Sequence, residues 1–249
     1  MAQWLPSSAI DCLLQAAPER SPGGAIPTPG GEFMNDQVWH DLLALQVLAP
    51  LSSSYLPWNV AAMRPSGVVA VLNEVVINRR RHIVELGSGI SSVYLGRLAR
   101  QRGGQVWTVE HDEQWADTIE QQLADESLDD VVTVVRAPLA PTASAWPHEE
   151  NAWYETDAIR RGIADQPIDL LIIDGPPASD VARQHSRYPA IPFFASLLAD
   201  DYAIILDDID RPGEQEIMKR WEQDLDISFE RQILAGGIGI GRSRPSFTV

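Results

Sequence analysis

The segment HIVELGSGISS, from His82 to Ser92, constrains the fold of this chain most. A short β-branched run ends in an acid, Gly87 and Gly89 follow one residue apart, and hydroxyl residues then open an apolar stretch. The pattern predicts a buried strand over 82–86, a sharp glycine turn and a helix over 91–101. At such a helix N-terminus the backbone N–H groups point towards a ligand.

The chain then alternates short apolar runs with amphipathic stretches. This order predicts an α/β fold with a doubly wound, mostly parallel sheet. The predicted helices cover 36–48, 66–77, 91–101, 112–124, 193–199 and 213–223, and the predicted strands cover 82–86, 105–109, 131–135, 168–173, 202–206, 227–233 and 237–241. Ligands of such sheets bind beyond the carboxyl ends of the strands, so we expect the functional residues there.

The length of 249 residues suits one large α/β domain. A Pro- and Gly-rich stretch over 18–31 predicts an N-terminal arm and linker over 1–35, ahead of a domain over 36–249. The single cysteine, Cys12, excludes a disulfide within the chain and a cysteine-rich metal site.

The formal net charge of −16 argues against nucleic acid as a partner, because duplex binding needs a basic surface. No apolar run approaches the roughly 18 residues of a membrane span, so we expect no membrane partner. The first residues lack a basic stretch followed by an apolar core, and we therefore expect a cytoplasmic protein.

Glu110 closes the predicted strand that follows the glycine turn. An acid about 20 residues beyond the glycines, at the tip of the neighbouring strand, is placed to accept hydrogen bonds from ribose hydroxyls. The predicted ligand therefore carries a nucleoside. The alternatives are a solvated acid that favours the dipole of helix 112–124, and an ordinary tight turn that needs glycine without any ligand.

The details of the turn bear on which nucleoside is bound. A dinucleotide site has the fingerprint G-x-G-x-x-G, and here Ser92 stands in place of the third glycine. A carboxylate inside the loop, Glu85, would repel a pyrophosphate and would suit an ammonium or sulfonium group. A nicotinamide-dependent dehydrogenase is therefore the less favoured alternative.

The segment also belongs to an ordered set of motifs. WTVEHDEQW (107–115), VVRAPLAP (134–141), IDLLIIDGPP (168–177) and AIILDDIDRPGE (203–214) follow it. This set resembles the class I S-adenosylmethionine (SAM) methyltransferases, of the type that methylates oxygen atoms of small molecules. The resemblance implies a Rossmann-like fold, a seven-stranded sheet whose last strand, 237–241, is antiparallel, and an N-terminal helical extension.

The same resemblance implies SAM as the cofactor and O-methylation of a small-molecule acceptor that bears a hydroxyl or carboxyl group. A homodimer is left open, and so is a non-catalytic nucleoside-binding module on the same fold. The residues expected at the SAM site are Glu85, Gly87, Ser88, Gly89, Ser91, Glu110, His111, Ala137, Pro138 and Asp174. The resemblance places Glu85 near the methionine amine, Glu110 at the ribose, and the segment from Arg136 to Leu139, which contains Ala137 and Pro138, at the adenine edge.

Three acids follow two other strands: Asp174 follows 168–173, and Asp207 and Asp208 follow 202–206. Adjacent strands lie about 4.8 Å apart, so these acids are expected within reach of one ion. Carboxylate oxygens in this number favour Mg²⁺, Mn²⁺ or Ca²⁺. The arrangement resembles that of metal-dependent O-methyltransferases of the catechol type, whose ligands follow the corresponding two strands and commonly end in Asn, where this chain has Asp208. The alternative is an acidic helix start beside an Asp174 that faces the acceptor without a metal.

The proton acceptor of the reaction is expected to be Asp174 or His185. A histidine side chain can act as a general base, although a loop histidine is commonly a solvated bystander. Trp146, Trp153 and Tyr154 lie in a long insert that either walls an acceptor pocket or covers the sheet. The GGIGIG stretch over 236–241 lacks the ending of a phosphate loop, so it predicts a strand.

Overall fold

A computed structural model describes residues 31–147, 152–163, 165–234 and 236–246. The predicted arm over 1–35 falls outside these ranges except for its last five residues, with which helix α1 begins. The division of the chain into an arm and a domain at residue 36 stays a prediction.

Helices and strands alternate along the described residues. The helices are α1 (Gly31–Leu48), α2 (Pro65–Ile77), α3 (Ile90–Arg102), α4 (Glu113–Asp125), α5 (Thr156–Gly162), α6 (Ala190–Phe194) and α7 (Pro212–Leu225). The strands are β1 (His82–Leu86), β2 (Gln105–Glu110), β3 (Val132–Arg136), β4 (Leu139–Pro141), β5 (Ala152–Tyr154), β6 (Ile168–Ile173), β7 (Leu198–Leu206), β8 (Phe229–Gln232) and β9 (Ile238–Arg242).

Seven strands form one sheet in the order β3-β2-β1-β6-β7-β9-β8. The first five in this order run parallel, and β9 pairs antiparallel with both of its neighbours. The predicted fold class and the antiparallel last strand are confirmed. The strand order reverses between β1 and β6, which places Gly87 and Asp174 side by side at the carboxyl edge.

The central strands are buried on both faces, as their mainly apolar sequences predict. Alternate side chains of β6 point into two separate cores: Leu170 and Ile172 pack with the layer that holds α2 and α3, and Leu171 and Ile173 pack with the other. The sheet therefore packs between two hydrophobic layers. Loops cover its carboxyl edge.

Two parts of the fold differ from the prediction. The region over 193–199 contains only the end of α6 and a short 3₁₀ turn, because β7 begins at Leu198 with exposed acids in its first half. The insert forms an unpredicted hairpin of β4 and β5, followed by α5.

Helix α1 is confirmed, but its apolar side chains are not all buried. It buries Ala44 and Leu48, whereas Val38, Leu42 and Leu45 are about half exposed. No helix within the described ranges has both the length and the apolar character needed to cross a membrane.

Candidate active site

The turn after β1 uses its two glycines differently. Gly87 has a φ of 93°, and a Cβ there would lie 3.1 Å from the main chain of Asp174, so glycine is required. Gly89 is extended, with a φ of −175°. The nearest described atom to a Cβ at Gly89 would be the Ser91 Oγ, at 4.0 Å. The space beside Gly89 is therefore open to a ligand.

Glu85 lies beneath this turn. Its carboxylate accepts hydrogen bonds from the hydroxyls of Ser92 and Thr108, the latter at 2.8 Å, and the Ser92 Oγ also accepts from the Gly89 N–H at 3.0 Å. Burial raises the pKa of Glu85. The side chain is fully covered and lines neither rim cavity described below. The Oε2 atom supports the turn through Ser92 and Thr108, whereas the buried Oε1 has no hydrogen-bond partner among the described residues. The expected contact of Glu85 with the methionine amine stays a prediction.

Glu110 holds together the two loops that flank the predicted ribose site. One carboxylate oxygen accepts from the Ser88 N–H at 3.1 Å and the Ser88 hydroxyl at 2.8 Å. The other accepts from the N–H groups of His111 and Asp112 at 2.7 and 2.8 Å, and lies 2.9 Å from the His111 Nδ1. Burial raises the pKa of Glu110, but hydrogen bonds from His111, Asp112 and Ser88 outweigh it, so the pKa lies below its ordinary value.

Ala137 and Pro138 do not face the cavity. Ala137 is fully buried, and its N–H donates to the Glu110 carbonyl at 2.8 Å. Pro138 is exposed, and its carbonyl accepts from the Glu155 N–H at 2.9 Å. The chain turns here into the β4–β5 hairpin, and the expected contact of these two residues with adenine stays a prediction.

The three predicted acids do meet. One carboxylate oxygen each of Asp174, Asp207 and Asp208 lies within 4.8 Å of the others. Burial raises the pKa of Asp174, and it raises that of Asp207 to about 6. Asp208 has a φ of 61°, in the left-handed region that Asp and Asn tolerate best among non-glycine residues.

The positively charged guanidinium of Arg187 already lies inside this cluster. The Arg187 Nη2 is 2.9 Å from the Asp208 Oδ2 and 3.2 Å from the Asp174 Oδ1. Arg211 pairs with Asp208 at 2.8 Å. The acids suit a divalent ion in kind, but two of them are used by Arg187, so the residues as arranged do not fit one. Arg187 was not predicted as a site residue. The sequence did offer one clue, because three acids expected to lie close together require a nearby cation.

His185 lies outside the two cavities that Asp174 lines. Its side chain is 3% exposed, its ring stacks on Trp146 with centroids 4.2 Å apart, and its Nε2 lies 2.9 Å from the Glu216 carboxylate. It does not line the rim cavities. Asp174 lines both of these cavities, so the geometry favours Asp174 over His185, and the choice of proton acceptor stays a prediction.

The aromatic residues of the insert divide between the two predicted roles. Trp153 is fully buried among Phe193 and Phe194 and covers the sheet. Tyr154 lines the cavity, and its buried hydroxyl has no hydrogen-bond partner among the described residues. An unpaired buried hydroxyl beside a cavity is suited to bond a ligand.

These residues surround one cavity of about 570 Å³, which reaches from Ser88 and Glu110 to Asp208. A recess of about 90 Å³ adjoins it beside Gly89 and Ser91. Asp174 lines both. The charged residues around the larger cavity are six acids and three arginines: Glu110, Asp112, Asp174, Asp207, Asp208, Asp210, Arg64, Arg187 and Arg211. The cavity is therefore predominantly acidic.

Solved structures share this fold. An O-methyltransferase from Bacillus cereus, in complex with S-adenosylhomocysteine (SAH), has a TM-score of 0.53 and 20% identity, over 94% of this chain and 96% of that one. An SAH-bound methyltransferase from Podospora anserina has a TM-score of 0.55 and 13% identity, over 98% and 100%. A Staphylococcus aureus protein proposed to be a caffeoyl-CoA O-methyltransferase has a TM-score of 0.57 and 15% identity, over 84% and 99%.

A search of curated proteins found no match. Residues 84–209, just over half of the chain, match the family described as "Methyltransferase domain". This range contains the glycine turn, Glu110 and the acid cluster, which are the features that the motif set predicted. The chain therefore belongs to the methyltransferase domain family and is a class I SAM-dependent methyltransferase.

Proposed function

We propose that the chain methylates a hydroxyl oxygen of a small acceptor. The observation that carries this proposal is the cavity that joins the predicted ribose side, at Ser88 and Glu110, to a half-buried carboxylate, Asp174. A cofactor and an acceptor would share this space, which is the requirement for direct transfer between them. The solved O-methyltransferase from Bacillus cereus has the same fold.

The cofactor is held by residues on the β1 and β2 side. Glu110 would accept the ribose hydroxyls, and the open recess beside Gly89 and Ser91 would take the methionine part. SAM supplies an activated methyl group on a sulfonium when it is bound. The acidic lining would favour that positive charge.

Asp174 is the proposed proton acceptor. It lines both the recess and the main cavity, so its carboxylate lies where the two ligands would meet. Burial raises the pKa of Asp174, which makes the carboxylate a better base than an exposed aspartate. Positioning of the hydroxyl against the methyl group would supply most of the acceleration. No step of this proposal requires a metal.

The charge of the cavity also favours one of the two predicted acceptor groups, hydroxyl or carboxyl. Six acids against three arginines would repel a carboxylate and tolerate a neutral hydroxyl. We therefore favour hydroxyl over carboxyl acceptors.

Two measurements test the proposal. Titration calorimetry should show binding of SAM and SAH and none of NAD. Ser92 stands in place of the third glycine of a pyrophosphate-binding loop, and the carboxylate of Glu85 disfavours a pyrophosphate. A panel of small alcohols and their matched carboxylic acids should then yield SAH only with alcohols. Asp174→Asn should abolish that turnover and keep SAH binding. Binding of NAD without SAM would contradict the proposal, and so would turnover of carboxylic acids alone.

A further inference from the structure

The guanidinium of Arg187 is built into the rim. Its side chain is 3% exposed. The Nη2 group donates to the Asp174 carbonyl at 2.8 Å, and the Nη1 group donates to the Asp207 carbonyl at 3.1 Å. The Nε–H donates to the Pro176 carbonyl at 3.4 Å. All three nitrogens are therefore tied to the turns that follow β6 and β7.

The same guanidinium pairs with one carboxylate oxygen on each of two acids in the cluster. Its Nη2 lies 3.2 Å from the Asp174 Oδ1 and 2.9 Å from the Asp208 Oδ2. Mg²⁺ would bind such oxygens at about 2.0–2.1 Å, beside an arginine that stays protonated and repels it. Arg187 cannot move aside without losing hydrogen bonds to both turns.

We propose that Arg187 is a positioning residue that takes the place of a divalent cation in this enzyme. It balances the charge of the acid cluster and aims the Asp174 carboxylate into the cavity. This role rests on the proposed function of Asp174, whereas the exclusion of metal rests on the contacts of Arg187 alone.

Mn²⁺ binding tests the proposal. After dialysis against EDTA, wild type, Arg187→Met and the double variant Arg187→Met/Asp208→Asn are titrated with Mn²⁺ and followed by electron paramagnetic resonance. Wild type should bind no Mn²⁺ at the cluster. Arg187→Met should gain a site at least tenfold tighter than any wild-type binding, and the double variant should lose it. Mn²⁺ should also raise the unfolding temperature of Arg187→Met and leave that of wild type unchanged.

Two results would overturn the proposal. The first is Mn²⁺ binding by wild type that Asp208→Asn abolishes. The second is a folded Arg187→Met that gains no Mn²⁺ site. If Arg187→Met does not fold, even with Mn²⁺, the Mn²⁺ titration of wild type still tests the proposal. Arg187→Lys, which keeps the charge, should also exclude Mn²⁺. SAM binding measured on the same samples separates a failure of the proposed function from a failure of this inference.

Discussion

Gly89→Ala is expected to separate cofactor binding from folding. The new Cβ lies on extended backbone, with its nearest described atom, the Ser91 Oγ, at 4.0 Å. Loss of glycine restricts the unfolded chain and stabilises by about 0.4–1 kcal/mol. Alanine is a poorer N-cap than glycine by roughly 0.5–1 kcal/mol. These terms oppose each other, so the unfolding temperature should stay within about 4 °C of wild type.

SAM affinity should nevertheless fall. The added methyl group occupies the space in which a ligand would approach the backbone of the turn. An extra methyl in a close contact costs about 1–3 kcal/mol, which corresponds to a rise in Kd of roughly 5- to 150-fold. Titration calorimetry measures the affinity, and thermal unfolding followed by circular dichroism measures the stability of the same preparation.

Gly87→Ala is the matched control. Its φ of 93° and the 3.1 Å approach of its Cβ to the Asp174 main chain make it a folding variant. It should lose at least about 1–2 kcal/mol of stability. An unchanged SAM affinity in a stable Gly89→Ala would refute the assignment of the recess to the cofactor.

Three further outcomes are expected. Ser88→Ala frees an oxygen of Glu110, so SAM affinity should hold or rise while stability falls by about 0.5–1.5 kcal/mol; calorimetry that shows a tenfold loss would contradict this. The Glu110 carboxylate holds the pKa of His111 above its ordinary 6.5. Stabilisation by the pair is therefore complete below about pH 6.5 and is lost as the pH rises through the folded-state pKa. His111→Gln should accordingly lower the unfolding temperature at about pH 6 more than at about pH 9, and an equal loss at both would count against the pair. Tyr154→Phe removes a buried hydroxyl that has no partner among the described residues, so the free energy of unfolding should rise by about 1–3 kcal/mol in thermal unfolding. Ligand binding measured by calorimetry should become weaker. A less stable variant would show that the hydroxyl is already paired.

The sheet was predictable because its central strands are buried on both faces. β1 and β6 have the predicted bounds, since each mainly apolar strand is followed directly by a turn residue, Gly87 or Asp174. Parallel strands bring their carboxyl ends to one edge, and this alone predicts that Asp174 and Asp208 meet. At these strand ends the sequence pattern of each strand and the topology of the whole sheet give the same result.

The loops were not predictable in the same way. The side chains of Arg187 and His185 lie two residues apart, yet one enters the acid cluster and the other stacks on Trp146. Their directions depend on contacts with distant segments, which carry no periodic signal. Glu85 shows the same limit, because its burial depends on partners in β2 and α3, Thr108 and Ser92.

The rim of the sheet has a consequence for how a ligand can be detected. The residues that line its cavity run from Gln37 to Gly237, and many of them follow the ends of strands. No short segment could keep the site while the rest unfolds, so only the fully folded chain binds. A ligand at 100 times its Kd then adds about 2.7 kcal/mol to the stability of the whole domain. Thermal-shift screening of candidate acceptors in the presence of SAH should therefore identify them without an assay of turnover.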